Sequence, residues 1–276
     1  MESSTATREH GRTAGRSSAH TGGEGRDLVE VTALEVTGRD APIRSRLYRR
    51  RVASSASPLL IYYPQPGLVI SVFATHDTHF RRLVELASIK LLAIECESLL
   101  WEPAAVSLED GRLTLECALE SCGAWGVDPR RIALAGDGAG ADLVSRLAAP
   151  AERETGARVL GALLLDPEPE IAERRSWKPA VRSLLVAAGQ GGKDDRLTWS
   201  REPAHEGKHL EALRLPGLRP DFYLHSTLRP EEAAAVGTFA DWLGAILGAD
   251  SRPQDAAQTQ KPETCASKKL RSEFRE

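Results

Sequence analysis

Short apolar runs separated by segments of helical spacing constrain this chain more than any other feature. Leu59 to Tyr63, Leu91 to Ile94, Ile132 to Ala135, Leu163 to Leu165 and Leu184 to Ala187 are each too short for a helix and apolar throughout. A strand can be apolar on both sides only if both faces of its sheet are covered, as in a parallel sheet with helices above and below. The intervening segments Thr78 to Leu86, Leu108 to Cys122, Ala139 to Leu147, Glu202 to Leu213 and Glu231 to Leu247 have helical spacing. The last presents Val236, Phe239, Trp242, Leu243 and Ile246 as its apolar side. Val29 to Val36 and Ile43 to Tyr48 alternate as an antiparallel edge would, Val127-Asp128-Pro129 reads as a turn, and Phe222 to Leu224 is expected to close a last strand. The fold class predicted is α/β, with a mostly parallel central sheet covered by helices on both faces. Ligand sites in such sheets lie beyond the carboxyl ends of the strands. The residues after Tyr63, Ala135, Ala188 and Leu215 therefore matter most.

Composition sets the outer limits. Of 276 residues, 41% are hydrophobic and 27% charged, the balance of an ordinary globular chain. A net charge of -3 supplies no field that would draw in nucleic acid or an anionic membrane. Residues 1–27 and 249–276 are polar and short of apolar side chains, and are expected to be disordered tails around one domain over 28–248. No secretory leader or membrane-spanning run is read, so a cytoplasmic protein is expected. Cys96, Cys117, Cys122 and Cys265 form no Cys-x-x-Cys pair and are expected as reduced thiols.

The segment Arg131-Ile132-Ala133-Leu134-Ala135-Gly136-Asp137-Gly138-Ala139-Gly140 reads as strand, glycine-rich turn and helix start. It resembles the Gly-Asp-Ser-Ala-Gly nucleophile elbow of the hormone-sensitive-lipase-like esterases. Gly126-Val127-Asp128-Pro129-Arg130-Arg131-Ile132 and Pro103-Ala104-Ala105 before it, and Leu68-Val69-Ile70, Thr75-His76-Asp77 and Arg81-Arg82-Leu83 further upstream, are similar to stretches of that family. So are Leu215-Pro216-Gly217-Leu218 and Leu228-Arg229-Pro230-Glu231, over a span from Val29 to Leu247. The resemblance implies an α/β-hydrolase fold with a reduced or absent cap, because only Pro167 to Val181 separates two strands where the family carries a lid.

Each position to which the resemblance assigns chemistry is substituted. The elbow serine is Gly138, which has no hydroxyl to acylate. The oxyanion loop corresponds to Pro64, Gln65, Pro66 and Gly67, and Pro66 has no N–H to offer. The acid falls at Gly191 and the histidine at Pro220, with Asp194, Asp195 and His225 nearby in sequence. Glycine at the elbow corner also removes the strain that a serine is held under there. The expectation is a pseudoenzyme without a Ser-His-Asp triad, binding a small molecule or a protein partner. Two alternatives stand beside it: a repurposed lyase, isomerase or cyclase, and a hydrolase with a relocated triad. No cofactor is expected.

Other candidates are weighed on their context. His205-Glu206-Gly207-Lys208-His209 matches His-Glu-x-x-His, but Pro203 and Gly207 disfavour the helix such a zinc site needs, so no metal is expected. His76 and His79 open a helix and are expected as exposed capping residues, with contact to a small molecule as the alternative. Asp137 is either part of the elbow's framework or a general acid or base. His76, Asp137, Asp194 and His225 are the candidate pocket residues. Trp101 either packs or lines a pocket.

Overall fold

A computed structural model describes residues 28–39, 41–52, 56–65, 72–95, 105–148, 158–167, 181–189, 209–219 and 221–248. Eight strands form one sheet: β1 Val29–Val36, β2 Ile43–Arg50, β3 Ser57–Tyr63, β4 Lys90–Ile94, β5 Val127–Asp137, β6 Val159–Leu165, β7 Arg182–Gly189 and β8 Leu210–Pro216. Their order is β1-β2-β4-β3-β5-β6-β7-β8. The pairings of β1 with β2 and of β2 with β4 are antiparallel, and all the others are parallel. The helices are α1 Val72–Thr75, α2 Asp77–Ala87, α3 Ala105–Trp125, α4 Ala139–Leu147 and α5 Pro230–Leu247. No helix among the described residues is long and apolar enough to cross a membrane.

The period-two geometry of a strand divides each apolar run between two cores. Leu60, Tyr62, Leu91, Ala93, Ala133, Ala135, Leu163 and Leu165 face one layer, which α2 and α5 cover through Phe80, Leu83, Val236, Phe239 and Leu243. Leu59, Ile61, Tyr63, Leu92, Ile94, Ile132, Leu134 and Leu164 face the other, covered by α3 and α4 through Leu115, Ala118, Val144 and Leu147. Each fully buried large apolar side chain contributes roughly 1.5–3 kcal/mol relative to exposure. The central strands and the helix faces that cover them both contribute on this scale.

The last helix is set by its sequence ends. Pro230 sits in its first turn, Gly248 closes it at φ 58°, and Glu232 accepts the Arg229 backbone N–H at 2.8 Å. The Glu232 carboxylate is fully buried between Arg219 and Arg229, at 2.7 and 2.8 Å. The Arg219 hydrogen bond, with help from Arg229, holds it down to about 2.

Three expectations are corrected here. Leu210–Pro216 is an edge strand along β7 where a helix over Glu202 to Leu213 was expected. Glu, Ala and Leu are good helix formers, but tertiary context routinely overrides propensity, and here pairing with the open edge of β7 does so. Phe222–Leu224 is a 3-10 turn and closes no strand. Val127-Asp128-Pro129 begins β5 itself, at the register irregularity between Ser57 and Leu59. The proposed tails and the segment 168–180 lie outside the described residues.

Candidate active site

A sharp corner of the chain lies where β5 meets α4. Gly138 has φ 50° and ψ -123°, and Ala139 begins the helix. This is the corner expected from the sequence, and it sits at the carboxyl end of a central strand. The flanking glycines make it possible. A Cβ on Gly136 would lie 2.5 Å from Gly140 C and 2.8 Å from Ala141 N, and one on Gly140 would lie 2.9 Å from Pro64 C and O. Strand, helix start and the end of β3 therefore touch backbone to backbone. The Gly138 N–H donates to Leu165 O at 3.0 Å, and Ala141 N–H donates to Gly138 O at 3.1 Å.

Next to this corner stands a chain of polar groups. His76 lies at the junction of α1 and α2, with its side chain fully buried. Its Nδ1 is 2.8 Å from Thr75 Oγ1 and its Nε2 is 3.5 Å from Asp137 Oδ1. The second contact is at ion-pair distance without the alignment of a hydrogen bond. Asp137, 2% exposed, immediately precedes the corner, and Thr75 is half-buried. Facing carboxylate and imidazole assign the proton to Nε2, which leaves Nδ1 to accept the Thr75 O–H. Below them lie Tyr62 and Tyr223, whose hydroxyls are raised well above the usual phenol range by burial and then by the Asp137 charge.

His79 is 1% exposed, and neither ring nitrogen has a hydrogen-bond partner among the described residues. Burial, and then the neighbouring His76 and Arg82, push its imidazole down to about 3. It packs instead against Tyr62, Phe80 and Tyr223. The unfolded chain takes up this proton near the ordinary value of about 6.5, so the unfolded state binds more protons below that pH. Stability should fall as pH drops from about 6.5 towards 3, and His79→Phe should flatten that slope. Melting temperatures of both proteins across this range check it.

The structure places the other sequence candidates as follows. His76 and His79 are buried, which corrects the expectation of exposed capping residues; the apolar side of α2 carries them inward with Phe80 and Leu83. His225 is exposed beyond the 3-10 turn. Pro64 is buried and Gln65 exposed beside Gly138. Pro66, Gly67, Trp101, Gly191, Asp194, Asp195, His205 and Pro220 lie outside the described residues. His209 sits exposed in the turn that enters β8, so that end of the His-Glu-x-x-His segment is not helical. No cluster of three or more metal-ligating side chains is found among the described residues. Sequence reasoning missed Thr75 as a partner of His76. The dipeptide's position just after the former oxyanion loop was the available signal.

The sequence pattern of the α/β hydrolase fold family matches residues 60–201. The carboxylic ester hydrolase LipN of Mycobacterium tuberculosis is 33% identical over 116 residues, which is 42% of this chain and 31% of LipN, so the match spans under a third of that relative's length. Among solved structures, the hyperthermophilic esterase from the archaeon Pyrobaculum calidifontis superposes with TM-score 0.65 at 22% identity, over 79% of this chain and 83% of that one. The carboxylesterase EstE1 from a metagenomic library gives 0.65 at 20% identity, over 79% and 89%. A carboxyl esterase of the fungus Tuber melanosporum gives 0.67 at 15% identity, over 83% and 89%. These likenesses confirm the fold. They also overturn the expectation of a non-hydrolytic pseudoenzyme with a degenerate triad, and with it the lyase, isomerase or cyclase alternative, because the similar proteins are ester hydrolases. That expectation rested on the substitutions at Pro66, Gly138, Gly191 and Pro220; the alternative of a hydrolase with a relocated triad agrees better with these likenesses.

Proposed function

This chain belongs to the α/β-hydrolase-fold family, and from that premise we propose that it hydrolyses carboxylic esters with Thr75 in place of the missing elbow serine. The observation that carries the reading is the chain of contacts Thr75 Oγ1···His76 Nδ1 at 2.8 Å and His76 Nε2···Asp137 Oδ1 at 3.5 Å, beside the elbow. Nucleophile, base and orienting acid are in the order that acyl transfer needs. The two ring nitrogens exchange their usual roles, since here Nδ1 faces the hydroxyl.

The steps follow from those contacts. Thr75 Oγ1 attacks the ester carbonyl carbon as its proton passes to His76 Nδ1. The imidazolium that forms faces the Asp137 carboxylate, buried and 3.5 Å away, which stabilises it. The tetrahedral adduct collapses, the alkoxide leaves with the proton from Nδ1, and the acyl group stays on Thr75. Water, deprotonated by the same nitrogen, then releases the carboxylic acid and restores the hydroxyl. The 3.5 Å contact is longer than a working hydrogen bond, as is common before substrate tightens a site.

The test is turnover of short-acyl p-nitrophenyl esters by the purified chain against a heat-killed control. Saturable hydrolysis is expected; a rate equal to the control at every substrate concentration would sink the reading.

A further inference from the structure

Gln65 lays its side chain across Gly138. A Cβ built at Gly138 would lie 2.7 Å from Gln65 Cδ and 3.2 Å from Cγ, with Oε1 nearer still. The volume that a nucleophile's side chain fills in an elbow is therefore filled by a carboxamide arriving from the end of β3. Glycine at 138 allows this, both by lacking a Cβ and by adopting φ 50°.

Resting on the ester-hydrolase reading, we propose that the Gln65 carboxamide is the donor to the oxyanion that forms on the substrate carbonyl. Three main-chain positions at this point supply no donor. Pro64 and Pro66 flank Gln65 and carry no N–H, and the Gly138 N–H is committed to Leu165 O. A carboxamide provides two donors on one nitrogen. Oxygen and nitrogen of the group exchange places by a half turn about its last torsion, so the NH2 can occupy the place of Oε1 without moving the chain. Gln65 is exposed, which leaves the group open to an entering substrate, and it stands over the same corner that Asp137 precedes. A donor fixed where negative charge develops acts on the transition state more than on bound ester.

The experiment measures kcat, KM and melting temperature for the parent, Gln65→Ala, Gln65→Glu, Gly138→Ala and the Gln65→Ala/Gly138→Ala pair. Losing one oxyanion donor lowers kcat about a hundred- to a thousandfold, so both Gln65 variants should fall by that factor with KM within about threefold. Gln65 is exposed, so their melting temperatures should match the parent's. The Cβ of Gly138→Ala displaces the carboxamide, so this variant, assayed below its own melting temperature, should lose a similar factor. The double variant should be no worse than the poorer single one, because both remove one interaction. Parental kcat in Gln65→Ala, or a fall accompanied by a lower melting temperature and a matching rise in KM, overturns the role of Gln65 and leaves the hydrolase reading standing. A parent without turnover removes both.

Discussion

Thr75→Val should lose at least about four orders of magnitude in kcat on p-nitrophenyl esters, because it deletes the attacking hydroxyl while keeping the branched shape of the side chain. The members of a nucleophile-base-acid set act as a unit, so His76 and Asp137 cannot compensate for its loss. The residual rate then comes only from binding and the oxyanion donor. Thr75→Ser restores the hydroxyl on a less restricted rotor and should stay within about tenfold of the parent. Removing the hydroxyl leaves His76 Nδ1 buried without its 2.8 Å partner, which should cost about 1–3 kcal/mol of stability. The same assay on the three proteins, with melting temperatures, decides the matter. A fully active Thr75→Val variant would remove Thr75 from the mechanism.

Gly140→Ala should be strongly destabilising at the corner where β5 meets α4. Its Cβ would meet Tyr63 O and stand 2.9 Å from Pro64 C and O. Those are backbone atoms at the end of a fully buried strand, so no rotamer change relieves the contact. Helix α4 would have to lift from β3, loosening Ala141, Val144 and Leu147 from the second core. A cost of about 3 kcal/mol or more is expected, lowering the melting temperature by roughly 6–12 °C. Gly123→Ala is the control. It lies within α3 with nothing inside 4 Å of the added Cβ, and should gain up to about 1 kcal/mol. Thermal unfolding of the two variants beside the parent measures both effects, and equal melting temperatures would contradict the close backbone contact at Gly140.

The elements visible in the sequence were those whose physics is local. Leu59 to Tyr63 and Ile132 to Ala135 announce buried strands because nothing else accommodates continuous apolar side chains on both faces. The turn at Gly136 to Gly140 is legible because only glycines let strand and helix backbones touch. β8 was not legible, since its strand character comes from the edge of β7 and its own Glu-Ala-Leu pattern speaks for a helix. At the site, the sequence placed Asp137 and Gln65 at the right end of the sheet and singled out His76. It could not show that the inward side of α2 buries His76 and His79, because a histidine opening a helix is more often solvated. Nor could it bring Thr75, His76 and Asp137 together across two elements more than sixty positions apart in the chain.

Thr75 as the acyl acceptor is tested most directly by covalent capture. A p-nitrophenyl alkylphosphonate forms a phosphorus–oxygen bond with an activated hydroxyl as p-nitrophenolate leaves, and the adduct survives digestion for mass spectrometry. One phosphonyl group per chain is predicted, on Thr75, formed in step with the loss of esterase activity and absent from Thr75→Val. Complete inactivation with the adduct on any other side chain, or an active enzyme that stays unmodified at Thr75, would contradict the account.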